Sequence, residues 1–218
     1  MRICINGSQR FFFISDAVDI VALREVFVDG EYDLSVKNKP DVILDLGAHV
    51  GDTSLFYHDV YPEARIFAIE AMPETFEKLQ KNVQSISNII PLNLAVSSET
   101  GHISFYKNAS SLGNSIHKRE PDSVEIKIES FSLPDLIKKI GCEKIDILKF
   151  DIEGAEADLF QNIDTTTFAE NYIGEIHLDL GVVSKEDFSK NFPKFDLEFS
   201  EISKGRRYLF KAKKSSHI

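Results

Sequence analysis

A chain of 218 residues, with 43% hydrophobic and 28% charged residues, is long enough to bury a core and lacks the composition of a disordered or fibrous protein. Its formal net charge of −10 argues against broad attraction to nucleic-acid backbones or anionic membranes. Two cysteines, Cys4 and Cys142, form neither a metal-spaced pair nor a disulfide framework, which suits a reducing cytoplasm.

The sequence has no apolar stretch of the roughly 18 residues a membrane span requires. Asn6 to Arg10 fall where a signal peptide would need its apolar centre, so neither secretion nor membrane insertion is expected. Residues 1–40 read as an N-terminal extension that packs on the core, with a helix across "DAVDIVALREVFVDGEYD". From 41 to 218 short apolar runs alternate with amphipathic stretches, the rhythm of a parallel sheet covered by helices. "VILDLG" is the first strand and "GDTSLFYHDVYPE" its helix; "RIFAIEA" and "PETFEKLQKNVQSI", with Pro73 in its first turn, repeat the unit. "IIPLNLAVS" reads as a third strand and "GHISFYK" as one near an edge. The polar stretch from Ser110 reads as a long loop, with Ser110 to Ser115 expected to form a lid over an acceptor pocket.

Further on, "VEIKIES" alternates as a strand, "SLPDLIKKI" fits a short helix and "KIDILKFDIEG" a buried strand, with "AEADLFQNI" continuing as a helix. "YIGEIHLDL", "SKEDFSKNF", "FDLEFSEI" and "GRRYLFKAKK" supply a strand, a helix and a closing pair of strands. This predicts an α/β fold, a seven-stranded and mainly parallel sheet with an antiparallel last strand.

The stretch "DVILDLGAHVGDTSLF" places the turn Gly47–Thr53 after the first strand, where open α/β sheets bind ligands. Gly47 and Gly51 let backbone approach a ligand, and Asp45 sets a carboxylate at the strand end. Twenty-five positions on, Glu70 ends the next strand and is placed to take the two hydroxyls of a ribose. A dinucleotide would want G-x-G-x-x-G, but "GAHVGD" puts His49 at the second glycine and Asp52 where phosphates would lie. S-adenosylmethionine carries a sulfonium and an ammonium instead of phosphate, so an acidic turn favours it.

These segments, with "IFAIEAMPETFEKLQKNV", "LNLAVSSETGHISFY" and "IDILKFDIEGAEADLF" followed by "GEIHLDL", resemble FkbM-type S-adenosylmethionine-dependent methyltransferases over residues 20 to 180. The resemblance implies a class I, Rossmann-like methyltransferase domain and O-methylation of a hydroxyl on a small molecule or sugar. It implies that Asp45, Gly47, His49, Gly51 and Thr53 lie along the cofactor. Glu70 would hold its ribose, Ala71 and Met72 would pack on its adenine, and Leu94, Ala95 or Val96 would supply the other contact. His49 replaces the asparagine usual in that family.

Within "KFDIEGAE", Asp151 and Glu153 lean to one side of a strand end with Lys149 one period earlier, a pattern suited to a proton acceptor or a cation. Asp151 is the candidate base, and Glu156 reads as a helix-start charge. On the next strand Glu175, His177 and Asp179 share a face that is either wet surface or pocket wall, with His177 a second candidate base. Asp151, Glu153, His177 and Asp179 could hold a divalent ion, but no spacing demands one, and no metal is assigned. A nucleotide-dependent oxidoreductase and a non-catalytic nucleoside-binding module are the alternatives.

Overall fold

A computed structural model of the chain describes residues 2–5, 8–107, 124–152, 154–160, 163–178 and 184–215. It opens with an antiparallel hairpin of β1 (Arg2–Ile5) and β2 (Ser8–Phe11), where the sequence raises no expectation of strands. Helix α1 (Ala17–Arg24) starts at Asp16, whose side chain accepts from the backbone of Val18 and Asp19 and satisfies two orphan donors of the first turn. A π-helical turn, Glu25–Asp29, prolongs it to Gly30.

The repeating units then follow: β3 (Val42–Leu46), α2 (Asp52–Val60), β4 (Arg65–Ile69), α3 (Pro73–Val83) and β5 (Ile89–Leu92). The run expected as one strand is divided, because Asn93 turns back to donate its side-chain amide to the carbonyls of Glu70 and Ala71 before β6 (Ala95–Val96) begins. Strands β7 (Gly101–Lys107) and β8 (Val124–Phe131) join β6 in a separate sheet of order β6-β8-β7. The proposed lid, Ser110 to Ser115, lies outside the described residues. Helix α4 (Leu133–Ile140) leads to β9 (Ile145–Phe150). The helix after it, α5 (Glu156–Leu159), is a single turn. Then come α6 (Thr165–Phe168), β10 (Ala169–His177), α7 (Lys185–Ser189), β11 (Phe195–Ser203) and β12 (Arg207–Lys214).

Seven strands form the main sheet in the order β11-β12-β10-β9-β3-β4-β5, and β12 runs antiparallel to both its neighbours. The inner strands read as near-continuous apolar runs because both faces of the sheet are covered. On one face Leu44, Leu46, Leu148 and Phe150 meet the aromatic rings of Phe160, Tyr172, Phe188, Phe192 and Phe210. On the other, Ile43, Ile66, Ile147 and Ile173 are buried with Phe12, Leu23, Val26, Tyr32 and Leu34 of the N-terminal segment.

Strand order reverses between β3 and β9: chain progress from β3 runs outward through β4 and β5, while β9 leads the other way to β10. The carboxyl ends of those two strands therefore splay their following loops apart and open a crevice. Gly47 is needed there. A Cβ on it would lie 1.9 Å from the backbone oxygen of Asp151, and its φ of 75° is left-handed.

Candidate active site

The crevice holds a cavity of about 260 Å³. Its floor is the turn after β3, where Gly47, His49, Asp52 and Thr53 line it; Glu70, Ala71 and Met72 line one side. Leu94, Ala95 and Val96 close the adjoining wall, backed by Ile103 and Phe105 of the small sheet. Val18, Val21, Glu25 and Tyr32 bring the N-terminal segment into the opposite wall, and Lys149, Asp151, Glu175 and Arg207 form the far end.

Glu70 is 8% exposed and held from both sides: one oxygen accepts from the backbone N–H of His49 at 3.0 Å, the other from that of Met72 at 2.8 Å. Each carboxylate oxygen has a second lone pair, so both remain able to accept from a ligand. Burial raises the carboxyl's pKa, opposed by His49 and these two amides.

His49 adopts φ 47°, rare outside glycine, and so presents its amide to Glu70 while its ring turns away. The ring Nε2 lies 3.2 Å from Asp19 of α1 and Nδ1 3.8 Å from Asp52. Burial disfavours its charged form, but these carboxylates outweigh burial and push the ring up to about 10. Asp19, wholly buried, also accepts from Lys78 and from the backbone of Ser15. These bonds hold it well below the usual carboxylate range despite the opposing effect of burial.

Two residues expected along the cofactor do not line the cavity. Asp45 is buried beneath the floor, where it accepts from Ser54 Oγ at 2.7 Å and pairs with Lys149 at 3.1 Å. Its strand alternation explains this: Asp45 sits opposite Lys149 in the β3–β9 register, and both point to the same face. Lys149 also donates to the carbonyl of Gly47 at 2.7 Å and stands over the Tyr32 ring. Burial works against its charge, yet Asp45 and Asp151 hold its pKa above the ordinary lysine value. Gly51 is the left-handed N-cap of α2, and a Cβ there would meet Leu79 at 2.8 Å. Its glycine serves packing of α2 on α3.

At the far end, Asp151 accepts from the Tyr32 hydroxyl at 3.3 Å, while its buried Oδ1 has no hydrogen-bond partner among the described residues. Glu175 lines the cavity and is pushed up to about 8 by burial and by Asp151. His177, 3% exposed, stands behind this wall, with Nδ1 3.0 Å from Glu156 and Nε2 3.6 Å from Glu175. Glu156 does stand at the start of α5, and it is buried there: it is 2% exposed and also accepts from the amide of Gly154. Glu153 and Asp179 lie outside the described residues. Glu25, pushed up to about 7 by burial and Glu31, adds a further carboxyl that no sequence motif marks.

The site's chemistry follows from this balance. Five carboxyl groups line the cavity, from Glu25, Asp52, Glu70, Asp151 and Glu175, against Lys149, Arg207 and the paired ring of His49. With Glu25 and Glu175 pushed up to about 7 and about 8, a nucleoside bearing cationic groups would draw these carboxyls into their charged forms, whereas a phosphate would favour the neutral ones.

A sequence profile of the methyltransferase FkbM domain matches residues 45–201, which span both strand ends that build the cavity. The chain belongs to the FkbM methyltransferase family. It is 27% identical over 210 residues to the hexuronic acid methyltransferase AglP of Haloferax volcanii, covering 93% of this chain and 83% of that one. It is 27% identical over 143 residues to the 2-O-methyltransferase NoeI of Sinorhizobium fredii, covering 58% of this chain and 59% of that relative. The fold is similar to that of methyltransferase FkbM from Methylobacillus flagellatus KT, with a TM-score of 0.59 at 13% identity, covering 88% of this chain and 47% of that longer one. FkbM membership and the observed sheet agree with the fold and enzyme class expected from the sequence. Among the described residues, no helix is long and apolar enough to cross a membrane.

Proposed function

We propose that the cavity binds S-adenosylmethionine and that the chain methylates a hydroxyl of a small molecule or sugar. The observation that carries this reading is Glu70, a buried carboxylate locked by the amides of His49 and Met72 at one side of a cavity whose far end holds Asp151. Glu70 accepts the ribose hydroxyls, Met72, Ala95 and Phe105 contact the adenine, and Asp52 of the floor faces the cationic methionine end. S-adenosylmethionine would supply a methyl group on a sulfonium, an electrophile that needs no further activation.

The remaining work is positioning and proton removal. Tyr32 and Lys149 hold Asp151 and the strand end in place, so an acceptor hydroxyl entering beside Asp151 is directed along the cavity axis. Asp151 receives the hydroxyl proton as the oxygen attacks in line. His177 is set back from the cavity and acts as a positioning residue for the far-end carboxyl groups. The names of the two relatives, one a hexuronic acid methyltransferase and one a 2-O-methyltransferase, support sugars as the first acceptors to test. Arg207, at the same end, suits an acceptor carrying a carboxylate.

A screen with methyl-labelled cofactor against neutral sugars, uronic acids and small hydroxylated metabolites tests this. Label should transfer to oxygen of at least one acceptor. Bound cofactor with no transfer to any hydroxyl would leave a nucleoside-binding module.

A further inference from the structure

The structure assigns a divalent-cation site to Asp151, Glu156 and His177, behind the far wall of the cavity. One ligand atom from each lies within 4.8 Å of the other two. They come from three elements that the fold brings to one point. Asp151 follows β9, Glu156 begins α5, and His177 ends β10, which runs parallel to β9. The site is built: Glu156 and His177 are 2% and 3% exposed, and the Gly154 amide fixes both oxygens of Glu156 at 3.1 Å.

One observation points to a cation, and a second contact accommodates it. Oδ1 of Asp151 is buried, with no hydrogen-bond partner among the described residues, although a buried carboxylate oxygen ordinarily has one. In addition, His177 Nδ1 stands 3.0 Å from Glu156 Oε1. That contact is a hydrogen bond when Nδ1 carries the proton, and in the other tautomer the Nδ1 lone pair and Oε1 face each other at a spacing an ion could share. The Nε2 proton then points toward Glu175, whose Oε2 lies 3.6 Å away. A carboxylate behind a metal-binding histidine fixes its tautomer and raises its basicity.

Two carboxylate oxygens and one imidazole nitrogen suit a borderline ion such as Mn2+ better than Mg2+, which favours an all-oxygen shell. The ion would also offset the cluster of Asp151, Glu156 and Glu175. Its role rests on the methyltransferase reading: from behind the wall it would fix Asp151 at the far end of the cavity, where the acceptor hydroxyl enters. Its binding does not rest on that reading and is measured without cofactor or acceptor.

The experiment is a titration of Mn2+ into the chelator-treated protein, with free Mn2+ read by electron paramagnetic resonance. One equivalent should bind per chain. Glu156→Gln, which keeps shape, and His177→Ala should each weaken it at least about tenfold, with folding confirmed by circular dichroism. Asp187→Asn, on the exposed surface, should leave it unchanged. If His177→Ala does not fold, Glu156→Gln decides. Absence of saturable binding at millimolar Mn2+, or equal affinity in wild type and the folded variants, overturns the site. Binding in a protein that methylates nothing sustains the site and removes only its proposed role.

Discussion

His49 and Asp19 meet at 3.2 Å, joining the glycine turn under the cavity to the N-terminal helix that walls it. The His49 ring is pushed up to about 10, so it is charged in the folded chain well above the range in which an unfolded histidine loses its proton, near 6.5. The pair's stabilisation is therefore full below about pH 6.5 and is lost as pH rises toward about 10. Asp19, held low, loses its contribution only as pH falls below the ordinary carboxylate range. His49→Asn should melt below wild type at pH 6, and that gap should close by pH 10. A gap that stays constant across this span would mean the ring charge contributes nothing.

Glu70→Ala removes the acceptor of two backbone amides as well as the proposed ribose contact. Cofactor affinity should fall about ten- to a hundredfold, since a hydrogen bond to a charged group is worth about 1.5–3 kcal/mol. The melting temperature should fall too, because two amides lose their partner. Calorimetry and thermal melting together check this; lost stability with unchanged affinity would make Glu70 purely structural.

Much of the fold was legible because its causes are local. "VILDL" and "DILKF" are apolar apart from Asp45, Asp146 and Lys149, since both sheet faces are covered, and Gly47 and Glu70 stand where strand ends meet the crevice. The rest depends on distant packing. Nothing near His49 announces Asp19, thirty residues earlier, because their contact exists only once α1 docks. Asp45 looked like a ligand residue at a strand end, but β3–β9 register hands it to Lys149. Glu175 and His177 share a strand face, and only the backing of α5 decides that the first lines the cavity while the second is buried against Glu156.

Gly47→Ala should destabilise the chain by at least about 2 kcal/mol, combining a left-handed φ with a Cβ that overlaps the Asp151 backbone. Denaturant unfolding measures it. A change within about 0.5 kcal/mol, the ordinary range for surface substitutions, would contradict the close approach of the two strand ends.

Asp151→Asn keeps the shape of the far wall and removes its basicity. Methyl transfer should slow by about a hundred- to ten-thousand-fold while cofactor affinity stays within a few-fold. Single-turnover kinetics beside a binding titration separate the two. Retained turnover would remove Asp151 from proton transfer, and lost cofactor binding would place it in the cofactor pocket instead.

This carboxyl-lined cavity should select a cationic nucleoside over a phosphate-bearing one. Calorimetric titration of the purified chain with S-adenosylmethionine, its demethylated product and a nicotinamide dinucleotide tests it most directly. Saturable one-site binding of the first two and none of the dinucleotide is expected; a dinucleotide that binds where both nucleosides fail at millimolar concentration would overturn that selectivity.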